Sequence, residues 1–133
     1  MSSRELALLR FWLSVGFLGC GIVLYGCLMP SPPQVLSGTY ADKIEHFGAY
    51  AVLGTWFAGI LAPHYLRVFL GLLAFGVLIE ILQGLTGYRD AQVGDAVADG
   101  LGAMVGIGLA RLGAMRWLGY IDRRVEAKRN TSG

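Results

Sequence analysis

The sequence predicts an all-α fold: a polytopic membrane protein built as a four-helix transmembrane bundle, with a C-terminal segment suited to an interfacial helix. The composition indicates this first, because 55% of the 133 residues are hydrophobic and 15% are charged, whereas soluble domains carry about 25% charged residues. Long apolar segments and 20 glycines are also typical of membrane helices. The length allows one compact domain.

Four spans are predicted, at about residues 11–29, 44–62, 66–85 and 91–112. The first is uncharged over 19 residues, which is long enough to cross a bilayer. It ends before Pro30, where a proline-rich loop stops the helix. The second span begins near Asp42 and ends before the turn at Pro63, and a short turn over 86–90 separates the third span from the fourth.

The predicted domains are a transmembrane domain over 1–115 and a basic cytoplasmic tail over 116–133. The tail can begin as an interfacial helix through Trp117, Leu118, Tyr120 and Ile121. The basic residues outside the polar cluster described below fall on one side of the four spans: Arg4, Arg10, Arg67, Arg111, Arg116, Arg123, Arg124, Lys128 and Arg129. The positive-inside rule therefore predicts that both termini are cytoplasmic. Because these residues do not form a stripe, no nucleic-acid partner is predicted.

Nine polar side chains fall where the four predicted spans share the opposite, extracytoplasmic end. They are Asp42, Lys43, Glu45, His46, Glu80, Gln83, Arg89, Asp95 and Asp99. An ionised side chain costs about 2.5 to 3.5 kcal/mol at the centre of a span on insertion scales. A chain that keeps such groups is expected to use them, so this cluster is the predicted functional site.

Helical spacing predicts pairs within the cluster. Asp42 and His46 are four residues apart and share a helix face, so Asp42 can orient or charge His46 for proton transfer. The alternative is that Asp42 only caps the helix. Glu80 and Gln83 also share a face, and there the alternative is a hydrogen bond that fastens two helices.

Asp95 and Asp99 lie four residues apart and need a cation or hydrogen-bond partners. Arg89 can be the counter-ion of Asp95 or Glu80, or it can bind an anionic head group with its planar guanidinium. Small residues form a ridge along the same span that is predicted to pack inside the bundle: Ala98, Gly102, Gly106 and Ala110. Cys20 and Cys27 are predicted to be small apolar filler.

The motifs at 42–50, 80–83 and 89–102 together resemble the VanZ-like family in order and spacing. The residues that match its pattern are Asp42, Lys43, His46, Tyr50, Glu80, Gln83, Arg89, Asp95 and Gly102, with Asp99 standing where the family usually has Asn. The resemblance implies a small protein of the bacterial inner membrane with four or five helices. It also implies a link to resistance against teicoplanin, a glycopeptide that acts on cell-wall precursors.

The favoured hypothesis is a site that binds, and can modify, a lipid-linked precursor or another cell-envelope molecule such as a lipid head group. The residues assigned to catalysis are His46, Asp42 and Glu80, and those assigned to ligand binding are Lys43, Tyr50, Gln83, Arg89, Asp95 and Asp99. The partners are the bilayer and this molecule, and no cofactor is assigned. Two alternatives stay open. One is a non-catalytic accessory or assembly protein, and the other is a metal-dependent enzyme, which the lack of paired-histidine spacing disfavours. In the second case a divalent ion would be held by His46, Glu80, Asp95 and Asp99.

Overall fold

A computed structural model describes residues 3–38 and 40–131, and these residues form five helices. They are α1 (Ser3–Leu28), α2 (Ala41–Ile60), α3 (Tyr65–Thr86), α4 (Val93–Arg111) and α5 (Arg116–Asn130). The all-α class is therefore confirmed. α1 begins eight residues before the predicted span, because neither glycine nor proline interrupts residues 3–10. The tail is helical as far as Asn130, and residues 132–133 lie outside the described part of the chain.

Three helices are long and apolar enough to cross a membrane: α1, α3 and α4. They indicate a membrane protein, and they are compatible with contact to a lipid bilayer. Among the described residues, α2 does not reach the same combination of length and apolarity. The physical reason lies in its first turns, which carry Asp42, Lys43 and Glu45.

α2 and α4 pack more extensively than any other pair of helices, and glycines make this possible. A Cβ atom placed on Gly54 of α2 would lie 2.7 Å from the carbonyl oxygen of Ala103 on α4. A Cβ on Gly102 or Gly106 of α4 would collide with the α2 backbone. The predicted small-residue ridge thus packs inside the bundle, and the two backbones come close enough for short side chains to meet.

The two ends of the bundle differ in chemistry. At one end, α5 is held against the bundle by an aromatic cluster of Trp12, Trp56 and Trp117, and the indole nitrogen of Trp12 donates to Asp122 Oδ1 at 3.2 Å. At the other end, which we call the polar end, α1 and α3 finish while α2 and α4 begin. The predicted functional residues lie at this polar end.

Candidate functional site

Polar side chains from α2, α3 and α4 meet at one depth below the polar end. His46 follows the start of α2 by five residues, Glu80 precedes the end of α3 by six, and Asp99 follows the start of α4 by six. At about 1.5 Å per residue, all three lie about 8 to 9 Å inside the bundle. The buried polar or charged side chains in the described part of the chain are His46, Glu80, Gln83, Asp95 and Asp99. The structure therefore brings the predicted residues of three helices together.

His46 pairs with Asp99 at the centre of the site. The Nδ1 of His46 donates to Oδ1 of Asp99 at 2.9 Å, because a carboxylate can only accept, and the two side chains are 5% and 0% exposed. Gly76 makes room for this carboxylate, since a Cβ there would lie 2.7 Å from Asp99 Oδ2. Asp99 therefore forms the hydrogen bond that orients His46, and Asp42, which was predicted to orient or charge this histidine, brings a carboxylate oxygen within 4.8 Å of a ring nitrogen.

Lys43 neutralises Asp95. Its ammonium group donates to Asp95 Oδ1 at 3.1 Å and to the side-chain oxygen of Gln92 at 2.8 Å. Gly94 lets the lysine lie flat on α4, because a Cβ at this position would be 2.8 Å from Lys43 Cε. Of the two carboxylates predicted as possible counter-ions of Arg89, Asp95 pairs with Lys43 and Glu80 accepts from the backbone of Gln92, whereas Arg89 faces Asp42.

Glu80 and Gln83 each fasten α3 to a neighbouring segment. Glu80 Oε2 accepts the backbone N–H of Gln92, the residue just before α4, at 2.7 Å. Gln83 Nε2 donates to the carbonyl oxygen of Cys27 at 2.9 Å, close to the end of α1. Both side chains thus have one polar atom in a structural hydrogen bond and one atom left for other contacts.

Four buried polar atoms find no hydrogen-bond partner among the described residues. They are Tyr50 OH, Glu80 Oε1, Gln83 Oε1 and Asp99 Oδ2. Leaving a buried polar group unsatisfied costs about 1 to 3 kcal/mol, and more for a charged group. Such atoms are rare in native proteins, so four of them on adjoining helices mark a place that is built for polar contacts.

Two adjoining cavities lie at the polar end, and of the buried residues of the site His46 and Tyr50 line one of them. The inner chamber has a volume of about 190 Å³, and its lining includes Cys27, His46 and Tyr50. The outer vestibule has a volume of about 520 Å³ and lies under the 30–34 loop and the 88–92 turn. Four residues line both cavities: Pro32, Asp42, Glu45 and Arg89.

Arg89 stands where the chamber and the vestibule adjoin. Its Nη2 lies 3.9 Å from Asp42 Oδ1, at the outer limit for an ion pair, and its side chain is 17% exposed. Asp42 itself is half-exposed, with 48% of its side chain accessible. An ion pair with this separation and a half-exposed carboxylate contributes little to stability. The guanidinium therefore keeps most of its capacity to bind an anion.

Sequence reasoning missed several residues of the site. Cys27 lines the inner chamber together with His46, and no sequence signal separates it from Cys20. Gln92 joins Lys43 to Glu80 through its side chain and backbone. Glu45 was part of the predicted cluster without a role, and its Oε1 accepts the backbone N–H groups of Val35 and Leu36, which holds the loop over the cavities.

The arrangement offers a buried histidine–carboxylate pair, which is a common device for proton transfer, close to an arginine that lines both cavities. The sequence matches no family model, and no curated protein or solved structure matches it. The function is therefore inferred from the geometry of the site and from the motifs.

Proposed function

We propose that this chain is a four-span protein of the bacterial inner membrane that binds the anionic head group of an envelope lipid or lipid-linked molecule at its outer face. The observation that carries the proposal is the position of Arg89, which lines both cavities and is only loosely paired with Asp42. The resemblance to the VanZ-like family supports the same class of ligand. By that resemblance, the protein would be linked to resistance against teicoplanin, a glycopeptide that acts on cell-wall precursors.

Arg89 is a better anion ligand than Lys43. The Lys43 ammonium is already engaged by Asp95 and Gln92, so we assign it a structural role. The planar guanidinium of Arg89 presents two parallel N–H donors that match the oxygens of a phosphate or carboxylate. The backbone N–H of Arg89 donates to Thr86 Oγ1 at 3.2 Å, which holds the turn that carries the arginine.

The proposed placement in the membrane makes α2 the fourth span. Its charged first turns point to the site, while Ile44 and Val52 are 55% and 68% exposed on the outside of the bundle. Apolar side chains there suit contact with lipid. The basic residues of the N-terminus and of α5 lie at the end opposite the vestibule, which favours a cytoplasmic position for both termini and an outward-facing vestibule.

His46 is the residue we assign to chemistry, if the bound molecule is modified. It lines the inner chamber, and Asp99 fixes its ring through Nδ1, so that Nε2 is left to accept or donate a proton. We assign Asp42 to the Arg89 pair and Glu80 to holding the start of α4, because those are the contacts that they make.

A non-catalytic accessory protein is the second candidate. The hydrogen bonds from Glu80 to the backbone of Gln92 and from Gln83 to the backbone of Cys27 favour it, because both fasten helices without needing a ligand. In that case the polar cluster would serve to lock the bundle, and loss of Arg89 would leave lipid binding unchanged.

Replacing Arg89 by glutamine is expected to weaken binding of phosphatidylglycerol by roughly 10- to 100-fold. Hydrogen bonds to charged groups contribute about 1.5 to 3 kcal/mol, and each 1.4 kcal/mol is about a tenfold change in affinity. Native mass spectrometry of the purified protein, titrated with phosphatidylglycerol and separately with zwitterionic phosphatidylethanolamine, measures the bound lipid.

Arg67→Gln is the matched control, because Arg67 is an exposed arginine at the opposite end of the bundle. This variant is expected to bind phosphatidylglycerol like the wild type. Equal binding by Arg89→Gln and the wild type would contradict the proposed function, and so would an equal loss in both variants.

A further inference from the structure

We propose that the buried end of the site is a binding site for one divalent metal ion, held by His46, Glu80 and Asp99. One candidate ligand atom from each of these residues lies within 4.8 Å of the other two, and all three residues are buried. They come from α2, α3 and α4, so an ion here would join three helices. The inference goes beyond head-group binding and does not depend on it.

The spacing of the ligand atoms suits an ion. With metal–ligand distances of about 2.1 Å, neighbouring ligand atoms at right angles are about 3 Å apart, and opposite ones are about 4.2 Å apart. His46 Nδ1 and Asp99 Oδ1 are already 2.9 Å apart. An ion can therefore take the place of the proton that they share, and Glu80 brings a ligand atom within 4.8 Å of ligand atoms of both residues.

The unpartnered oxygens point to the same ligand independently. Glu80 Oε1 and Asp99 Oδ2 have no hydrogen-bond partner among the described residues, although Glu80 is only 7% exposed and Asp99 is fully buried. Gln83 Oε1 is also unpartnered and lies one helical turn from Glu80 on the same face of α3. Carboxylate and amide oxygens are acceptors, so a cation satisfies them where a further acceptor would not.

The charge balance of the buried site lacks two positive charges. Lys43 pairs with Asp95 and Arg89 faces Asp42, so Glu80 and Asp99 are the two buried carboxylates without a lysine or arginine partner in the described chain. Two carboxylates that share a buried site cannot both be ionised cheaply without a cation. One divalent ion with a neutral imidazole makes the set electroneutral, which a low-dielectric environment favours.

The same argument selects between two overlapping sets of candidate ligands. Asp42, His46 and Asp95 also bring ligand atoms within 4.8 Å of one another. Both carboxylates of that set already face a cationic side chain. We therefore assign the ion to His46, Glu80 and Asp99. One imidazole nitrogen with carboxylate oxygens suits Zn²⁺ or Mn²⁺.

The test is metal binding by the whole purified protein in detergent, after removal of bound metal with a chelator. Equilibrium dialysis against Zn²⁺ and separately against Mn²⁺, followed by elemental analysis, is expected to give one ion per chain for at least one metal. Adding that metal is expected to raise the thermal unfolding temperature of the wild type. Absence of stoichiometric binding to the wild type would overturn the proposal without any variant.

The ligand set is tested by Glu80→Gln and Asp99→Asn, each of which is expected to lower metal affinity at least tenfold. Asp95→Asn removes a carboxylate of the other set and is expected to keep the ion, as is Glu126→Gln on α5. Binding that survives both ligand variants, or that is lost only with Asp95→Asn, would refute the assignment. Arg89→Gln is expected to bind the metal ion like the wild type. A failure of head-group binding can therefore be distinguished from a failure of metal binding.

Discussion

Replacing Gly106 by alanine is expected to break the packing of α2 on α4 and to lower the free energy of unfolding by more than about 3 kcal/mol. A Cβ on Gly106 would collide with the carbonyl oxygen of Ala51 and would lie 2.6 Å from the backbone nitrogen of Thr55. Backbone atoms cannot move aside as the end of a flexible side chain can, so the two helices must separate. Reversible unfolding in mixed detergent and SDS micelles measures the change.

Gly108→Ala is the matched control for this change. Gly108 lies on the same helix, and a Cβ there would meet nothing within 4 Å. The free energy of unfolding is expected to stay within about 0.5 kcal/mol of the wild type. Equal stability of the two alanine variants would contradict the close packing of α2 on α4. It would also contradict the contact between His46 and Asp99, which depends on that packing.

Removing the imidazole of His46 is expected to lower the free energy of unfolding by about 3 to 5 kcal/mol, the range for leaving a buried charge without its partner. In the His46→Ala variant the Asp99 carboxylate stays fully buried and loses the donor at 2.9 Å. Unfolding should be measured in the presence of a chelator, so that a bound metal ion does not contribute.

Asp99→Asn separates the hydrogen bond from the charge. The amide oxygen of asparagine can still accept from His46 Nδ1. The free energy of unfolding is therefore expected to fall by less than about 1.5 kcal/mol. Asparagine is also the residue that the VanZ-like pattern has at this position. Asp42→Asn, at the wet rim of the site, is expected to cost less than about 1 kcal/mol. A loss in Asp99→Asn as large as in His46→Ala would show that the charge, rather than the hydrogen bond, holds the pair together.

Helical spacing predicted the faces of the site but not all of its partners. It placed Glu80 with Gln83 and Asp95 with Asp99 on shared faces, and it placed the small-residue ridge of α4 inside the bundle. It also favoured Asp42 as the partner of His46, because neighbours on one helix are the contacts that a sequence makes visible. The observed partner, Asp99, is 53 residues away and becomes visible only when α2 and α4 pack.

Other features had no signal in the sequence. Cys27 and Cys20 lie in the same apolar segment, yet Cys27 lines the inner chamber and Cys20 lines an apolar cavity between α1, α2 and α3. The two cysteines share nearly one face of α1 and lie about 10.5 Å apart along it, so the difference follows from their depth in the bundle, which local composition does not encode. Gly76 likewise reads as one more glycine in an apolar helix, although the room beside it is what admits the Asp99 carboxylate.

The most direct measurement is the reactivity of Cys27 towards a charged, membrane-impermeant methanethiosulfonate reagent, added to the outside of intact spheroplasts. A Cys20→Ser variant leaves Cys27 as the one thiol, and a Cys27→Ser variant leaves Cys20. Cys27 is expected to be modified from outside, because it lines the chamber beside the vestibule, while Cys20 is expected to stay unmodified. Modification of Cys27 only after the cytoplasmic face is opened, or equal reactivity of the two cysteines, would contradict a polar chamber that faces outwards.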